Sequence, residues 1–184
     1  MRPPDRSRRR HRVQQVSLSL LASLAFASAS GFSSMGTALV TQSGDQPCFG
    51  VPGEGSTREA PPRLYSLSIT PAQAARSDWR ALPEELWGFN VAPPGLRLEG
   101  VPPACIRYGE LPAAAQARVA PSPLEPGRMY HVEMSARPAD GRERTRAYKV
   151  DFCLVPMTNG APELRVVTWD EDARRWRDEV CAAR

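Results

Sequence analysis

The chain has 184 residues and a formal net charge of +4, from 24 basic and 20 acidic side chains. The first 29 residues hold six of the arginines and one of the acids, which leaves 18 basic and 19 acidic side chains in the rest. A body with a net charge of −1 gives no electrostatic reason to bind nucleic acid or an anionic membrane.

The N-terminal segment has the pattern of a secretory signal. Arginines between positions 2 and 12 precede an apolar run at 16–27, and small residues follow at 27–29. A spanning helix needs about twenty apolar residues, so this run is too short, and no second run follows it. We therefore predict a signal peptide at 1–29, no membrane span after its cleavage, and a periplasmic or secreted protein. An uncleaved signal, which would leave the protein membrane-associated, is the alternative.

The remaining composition indicates a β-fold. Residues 30–46 are small and polar, and we expect a flexible lead-in there before a single domain at 47–184. In that domain short apolar runs are separated by proline and glycine, and the chain has 19 prolines in all. Proline interrupts helices and suits strand edges and connections. This pattern predicts an all-β antiparallel sandwich, Ig-like in general build, behind a disordered signal and lead-in.

Alternating apolar residues mark the earlier strands. The first is predicted at 63–69, with Tyr65, Leu67 and Ile69 on one face and Leu64 on the other. Short strands are expected at "GLRLEG" and "ACIRYG". A helical turn is possible within 71–87 and within "LPAAAQARV".

Two longer alternating runs, "RMYHVEMSA" and "AYKVDFCLV", predict a β-hairpin in which His131 and Glu133 face outward. The residues predicted to face the core are Tyr130, Val132, Met134, Tyr148, Val150, Phe152 and Leu154. A last hairpin is predicted where "ELRVVTW" and "RRWRDEV" flank "DEDA".

The four cysteines are Cys48, Cys105, Cys153 and Cys181. An even number of cysteines behind a secretion signal favours two disulfides. Their wide spacing does not match a zinc site, and we expect no metal and no cofactor. Cys48 also lies too far beyond Ala29 to be a lipid anchor.

The cysteine pairing has two alternatives. One is Cys48–Cys105 with Cys153–Cys181, and the other is Cys105–Cys153 with Cys48–Cys181. If the last three strands pair consecutively, Cys153 and Cys181 lie on either side of the middle strand, about 9–10 Å apart. A disulfide needs Cα atoms within about 7 Å, so this bridge requires the C-terminus to leave the sheet.

Several aromatic and charged residues are candidate binding sites, and for each of them a purely structural role is the alternative. Trp79 and Trp87 could line a groove, but such residues usually pack on a core. Trp169 and Trp176 are predicted to face each other across the last hairpin as a stabilising pair. The arginines beside them could form a partner surface or a solvated face. The acids at 170–172 resemble a solvated turn more than a calcium site.

Nothing in the sequence matches a catalytic fingerprint such as G-x-S-x-G, H-E-x-x-H, a P-loop or a Rossmann motif. His131 is predicted to be a surface residue of an edge strand. A hydrolase centred on His131 would need a nucleophile beside it. We therefore predict that the protein is not an enzyme.

An ordered set of fragments supports a more specific hypothesis. These are "GDQPCFGVP", "LYSLSI", an isolated tryptophan, "ACIRYG", "LEPGRMYHVEM", "AYKVDFCL" and "LRVVTW". Together they resemble a family of small bacterial periplasmic proteins, many of them lipoproteins, described as type VI secretion immunity proteins. The resemblance spans residues 44–169, but the chain lacks the lipobox cysteine of the lipoproteins. It implies a disulfide between Cys48 and Cys105, with Cys153 and Cys181 as an additional pair.

The resemblance also implies a function. An immunity protein needs no catalytic residues, because it blocks a toxin with one complementary face. We therefore expect a non-catalytic binding protein whose partner is an envelope-acting effector, with Trp176, Arg175 and Tyr108 as candidate anchors of the interface. An accessory or structural protein of a secretion or pilus assembly, pairing with partner strands, is the alternative.

Overall fold

Strands account for almost all of the regular structure. The computed structural model describes residues 34–52, 60–72, 84–98, 105–138, 145–158 and 160–182. In chain order the strands are β1 (Met35–Thr37), β2 (Leu39–Ser43), β3 (Gln46–Gly50), β4 (Arg63–Pro71), β5 (Trp87–Val91), β6 (Leu96–Arg97), β7 (Ile106–Arg107), β8 (Ala115–Val119), β9 (Met129–Arg137), β10 (Ala147–Val155), β11 (Glu163–Val167), β12 (Trp169–Asp170) and β13 (Arg175–Trp176). A short 3₁₀ helix follows at Asp178–Cys181. The predicted all-β fold class is confirmed.

Two sheets enclose the core. The large sheet has the order β1-β10-β9-β4-β5-β8, with β11 also beside β10 and β6 also beside β4. The small sheet has the order β2-β3-β7, and β12 pairs with β13 in a separate hairpin. The parallel pair is β1 with β10, and the other pairs described are antiparallel.

The alternation predicted for β9 and β10 is confirmed. Tyr130, Val132 and Met134 of β9 are buried between the sheets, together with Tyr148, Val150, Phe152 and Leu154 of β10. His131 and Glu133 point to the opposite side, which we call the outer face of the large sheet. β10 departs from simple alternation, because its outer-facing Asp151, Cys153 and Val155 are buried as well.

A β-bulge changes the predicted faces of β4. The register with β9 shifts between Leu64 and Ser66, so Tyr65 is an extra residue in this strand. As a result Leu64 is buried with Leu67 and Ile69, although strict alternation would place it on the other face. The prediction that Leu64 lies on the face opposite Leu67 and Ile69 was therefore wrong, because the bulge shifts the alternation by one residue.

Aromatic rings fill the space between the sheets. Trp87 contacts Phe49, Phe89 and Tyr108, with ring centroids 6.3, 5.4 and 5.1 Å from its own. Phe49 also contacts Phe152, at 5.5 Å, which links the small sheet to β10. Trp87 is therefore a core residue, as expected, whereas Trp79 lies outside the described residues.

The flexible lead-in predicted at 30–46 differs from the structure over its described part. Residues 35–43 form β1 and β2, and the Val40 side chain is buried in the core. The side-chain amide of Gln42 donates to the carbonyl oxygen of Pro162 at 2.9 Å and accepts from the backbone N–H of Leu164 at 3.1 Å. These polar residues are ordered because strand pairing and the Gln42 amide satisfy backbone groups of both sheets. The folded body thus begins before residue 47.

The segment 111–119 also differs from what the sequence suggested. Its alanines allowed a helical turn, but residues 115–119 form β8 and pair with β5. Backbone pairing with an existing sheet overrides the weak helix preference of such a short segment.

The central strand β4 offers a test of the sandwich. Leu67 is fully buried between the sheets, so Leu67→Ala should lower the free energy of unfolding by about 3 kcal/mol. Ser68→Ala, one residue further along on the outer face, should change it by less than about 1 kcal/mol. Urea denaturation of both variants measures the difference. Equal losses in the two variants would contradict the assigned faces of β4.

Candidate partner-binding surface

The C-terminal segment is attached to the outer face of the large sheet by a disulfide. Cys153 and Cys181 are bonded, with Cα atoms 5.8 Å apart. β13 has two residues, and the chain then turns into the 3₁₀ helix instead of continuing as a third paired strand. The C-terminus therefore leaves the sheet, which is the condition that sheet geometry set for this bridge. Cys48 and Cys105 form the other disulfide, so the first of the two predicted pairings is confirmed.

Apolar packing and one polar contact hold the same segment down. Beneath the 3₁₀ helix, a small cluster joins Cys153 and Cys181 to Ala72, Met129, Val155 and Val167. Beside this cluster the guanidinium of Arg165 donates to the carbonyl oxygen of Val180 at 2.9 Å and pairs with the Glu163 carboxylate at 2.8 Å. The end of the chain is thus fixed by three kinds of interaction at one place.

The C-terminal hairpin, formed by β12, β13 and the turn at 171–174, presents two exposed tryptophans. Trp169 and Trp176 are cross-strand partners, and their rings meet edge to face with centroids 5.4 Å apart. This confirms the predicted pair. The two residues remain 41% and 39% exposed. Large rings held in one geometry are suited to anchor a protein partner.

Charged side chains stabilise the hairpin turn. The Asp170 carboxylate accepts from the backbone N–H of Ala173 at 2.9 Å and from the Arg177 guanidinium at 3.0 Å. The hydrogen bond from Ala173, with Arg177 beside it, lowers the pKa of Asp170. Arg174 adopts a left-handed conformation with φ of 49°. Asp170 therefore organises the turn that carries Arg174 and leads into Arg175 of β13.

Arg175 lies where the sequence placed it, on the surface beside Trp176. Its guanidinium donates to both carboxylate oxygens of Glu179, at 3.1 and 3.2 Å. The Arg175 side chain nevertheless remains 61% exposed. A partially solvated arginine held by a neighbour loses little side-chain entropy when it contacts a partner.

Tyr108, the third predicted anchor, is not on this surface. It is 9% exposed, its ring packs on Trp87, and its hydroxyl donates to the carbonyl oxygen of Ser122 at 2.5 Å. Burial raises the pKa of the Tyr108 phenol to about 12. The prediction was wrong because β7 is two residues long and gives no alternation from which the inward direction could be read. Tyr108 is a core residue that connects the small sheet to the segment after β8.

His131 lies in a different setting from the one predicted. β9 is an interior strand between β10 and β4, so His131 is not on a sheet edge. Its Nδ1 lies 2.6 Å from Oδ1 of the buried Asp151 on the neighbouring strand. This cross-strand contact satisfies a carboxylate that burial would otherwise destabilise. It was not apparent from sequence because it depends on the register of β9 with β10.

A cleft of about 380 Å³ lies between β6 and β7. Leu96, Leu98, Ile106 and Leu111 give it an apolar lining, and Arg97 and the Arg107–Glu110 ion pair also line it. None of the predicted partner anchors lines this cleft.

Two further observations concern the described residues alone. No three histidine, cysteine, aspartate or glutamate side chains in these ranges converge as metal ligands would. These ranges also contain no helix with the length and apolar character needed to cross a membrane.

Comparison with known proteins adds no relative. No family model, no curated protein and no solved structure matches the chain. The resemblance to periplasmic immunity proteins therefore stays a prediction.

Removing the C-terminal disulfide should release the hairpin. Cys153→Ala with Cys181→Ala opens a cross-link between residues 28 apart and should lower the free energy of unfolding by about 3 kcal/mol. It should also weaken the coupled circular-dichroism signal of the two tryptophans, because their support is lost. The control is Cys48→Ala with Cys105→Ala, which should lose stability but retain that signal under native conditions. An undiminished tryptophan signal in the first variant would show that the disulfide does not order the hairpin.

Tyr108 should make the fold sensitive to alkaline pH. Its pKa rises from 10.0 to about 12 on folding, so the folded state favours the neutral phenol. The resulting stabilisation is present below pH 10 and is lost as pH rises toward 12. In Tyr108→Phe, the free energy of unfolding should fall less steeply over this interval, as measured by urea denaturation at successive pH values. If the free energy of unfolding fell equally steeply with pH in the wild type and in Tyr108→Phe, the raised pKa of Tyr108 would be refuted.

Proposed function

We propose that this chain is a non-catalytic binding protein that neutralises an envelope-acting effector of a secretion system, as an immunity protein does. The observation that carries the proposal is the exposed Trp169–Trp176 pair on a hairpin attached to the body by Cys153–Cys181. The class of partner comes from the sequence resemblance over residues 44–169.

The physical argument concerns the entropy of binding. An interface gains affinity when its anchors are ordered before the partner arrives, because fewer rotamers are lost on association. The paired rings, the Asp170 turn and the Arg175–Glu179 contact each reduce that loss. Tryptophan and arginine are also the residues most enriched among energetically dominant interface positions.

The disulfides and the predicted signal indicate the compartment in which the protein would act. Two disulfides are consistent with an oxidising environment outside the cytoplasm. Together with the predicted signal at 1–29, they support a periplasmic or secreted protein, or a membrane-associated one if the signal is retained. An effector acting on the envelope would be met in that compartment.

A second function is favoured by a separate observation. β8 is the last strand of the large sheet, and its central residues Gln116, Ala117 and Arg118 are exposed. An accessory protein of a secretion or pilus assembly could add a partner strand at such an edge. This reading predicts that binding depends on β8 and not on the tryptophans.

The test combines capture with protection. The oxidised, tagged full chain is recovered from the native cell envelope, and its bound proteins are identified by mass. A toxin found there is then expressed in a sensitive host with and without the chain. We expect one stoichiometric toxin-like partner and restored growth. Recovery of several assembly components without protection would favour the accessory function and refute immunity.

Variants assign the interface. Trp169→Ala with Trp176→Ala should weaken binding of the captured toxin at least about 30-fold and abolish protection. The matched control is Leu111→Ala with Met157→Ala, which also removes two exposed apolar side chains. Equal effects of the two double variants would exclude the hairpin as the binding surface.

A further inference from the structure

Three arginines stand side by side across the large sheet. In the backbone register, Arg63 of β4 is opposite Arg97 of β6 on one side and Arg137 of β9 on the other. We call these residues the arginine row. Directly opposed residues in antiparallel strands have Cβ atoms about 5 Å apart, so the row spans about 10 Å.

The row lies on the outer face of the sheet. Leu64 and Ala136, the chain neighbours of Arg63 and Arg137, are fully buried in the core. Successive side chains of a strand point to opposite faces, so the arginines project away from the core. Arg97 and Arg137 are exposed and Arg63 is half-buried.

Among the described residues, no carboxylate pairs with any arginine of the row. Arg63 donates to the backbone carbonyl oxygen of Gly95 at 3.3 Å. Arg137 lies over the ring of Tyr65, with its guanidinium carbon 5.0 Å from the ring centroid. These contacts orient two guanidiniums without neutralising their charge.

Several other arginines among the described residues pair with acids. Arg118 pairs with Glu85, Arg165 with Glu163 and Arg177 with Asp170. Like charges directly opposite one another in a sheet are destabilising unless an anion lies between them. The row therefore keeps an unfavourable arrangement that a bound anion would relieve.

We infer that the arginine row binds an acidic segment of a protein partner through two or more carboxylates. Guanidinium groups bind carboxylates through paired, charge-assisted hydrogen bonds. The guanidiniums of Arg63 and Arg137 are already oriented for such bonds by their contacts with Gly95 and Tyr65. With a net charge of −1, the body provides no overall attraction to an extended polyanion such as nucleic acid or an anionic bilayer. A short acidic segment needs only the local positive charge of the row, because it contacts the row alone. The inference stands on the register of β4, β6 and β9 and does not rest on the proposed function.

The test measures binding of a fluorescein-labelled hexaglutamate peptide to the full, oxidised chain at low salt by fluorescence anisotropy. Arg63→Gln with Arg137→Gln should weaken binding by about tenfold. The control variant, Arg107→Gln with Arg128→Gln, removes the same charge from two exposed ion pairs and should weaken binding less than about twofold. The arginines of the first 29 residues are present in all three proteins and cancel in the comparison.

Two outcomes would overturn the inference. Equal weakening by the two double variants would show that only net charge matters. Tighter, Arg63-dependent binding to phosphatidylglycerol vesicles than to the peptide would assign the row to lipid phosphates instead of a protein. Arginine side-chain NMR signals should shift on titration for Arg63 and Arg137, and an absence of shifts at these residues would also refute the site.

Stability provides a second readout that separates binding from folding. Arg63→Gln removes the central charge, so its thermal midpoint should be equal to that of the wild type or higher by about 2 °C, despite weaker peptide binding. A fall in the thermal midpoint together with the loss of peptide binding would assign Arg63 a structural role. It would contradict the inference that the row destabilises the fold and is kept for anion binding.

Discussion

Burial of β10 on both faces is the constraint on which much of the structure depends. Its core-facing aromatic and aliphatic residues pack against the small sheet, as in any sandwich. Its outer-facing Asp151, Cys153 and Val155 are also buried, although an antiparallel sheet commonly leaves that side to water. The outer side therefore requires its own cover. His131 supplies a partner for Asp151, while the 3₁₀ helix and Cys181 cover the positions beyond it.

This cover explains how a two-residue strand pair can present tryptophans in a defined geometry. An isolated two-stranded hairpin is marginal in water, and β12 with β13 has few backbone bonds of its own. The Cys153–Cys181 bond and the Arg165 contact to Val180 anchor the chain just after β13, while β11 anchors it just before β12. The hairpin is thus held at one end by β11, which pairs with the edge of β10, and at the other end by the segment that covers the outer face of β10. Core packing and the candidate binding surface are therefore parts of one arrangement.

The sequence predicted those features that depend on local patterns. The core-facing residues of β9 and β10 follow from a period of two residues, and the Trp169–Trp176 pair follows from the predicted hairpin. The need for the C-terminus to leave the sheet follows from the spacing between strands. Features that depend on pairing could not be obtained in this way. The bulge at Tyr65 is visible only against β9, and β7 is too short to show that Tyr108 points inward. The polar segment at 35–43 gave no strand signal because its order comes from β10, β3 and the Gln42 bonds. The arginine row likewise appears only when residues far apart in sequence are placed in register.

The outer face of the large sheet changes in character along β9. At one end, Met129 lies in the apolar cluster beneath the 3₁₀ helix, and at the other end Arg137 belongs to the arginine row. Eight residues of strand separate these ends, a length of about 26 Å. A partner footprint of about 800 Å² is roughly 30 Å across. One partner of ordinary size therefore has room to reach from the C-terminal segment that covers this cluster to the arginines. Between them the surface carries the Lys149–Glu133 pair, a neutral contact that a partner could cover at small electrostatic cost. Contact with Trp169 and Trp176 of the C-terminal hairpin and contact with the arginine row would serve different purposes. Rings that become buried contribute affinity, while paired charges select the orientation in which the partner docks.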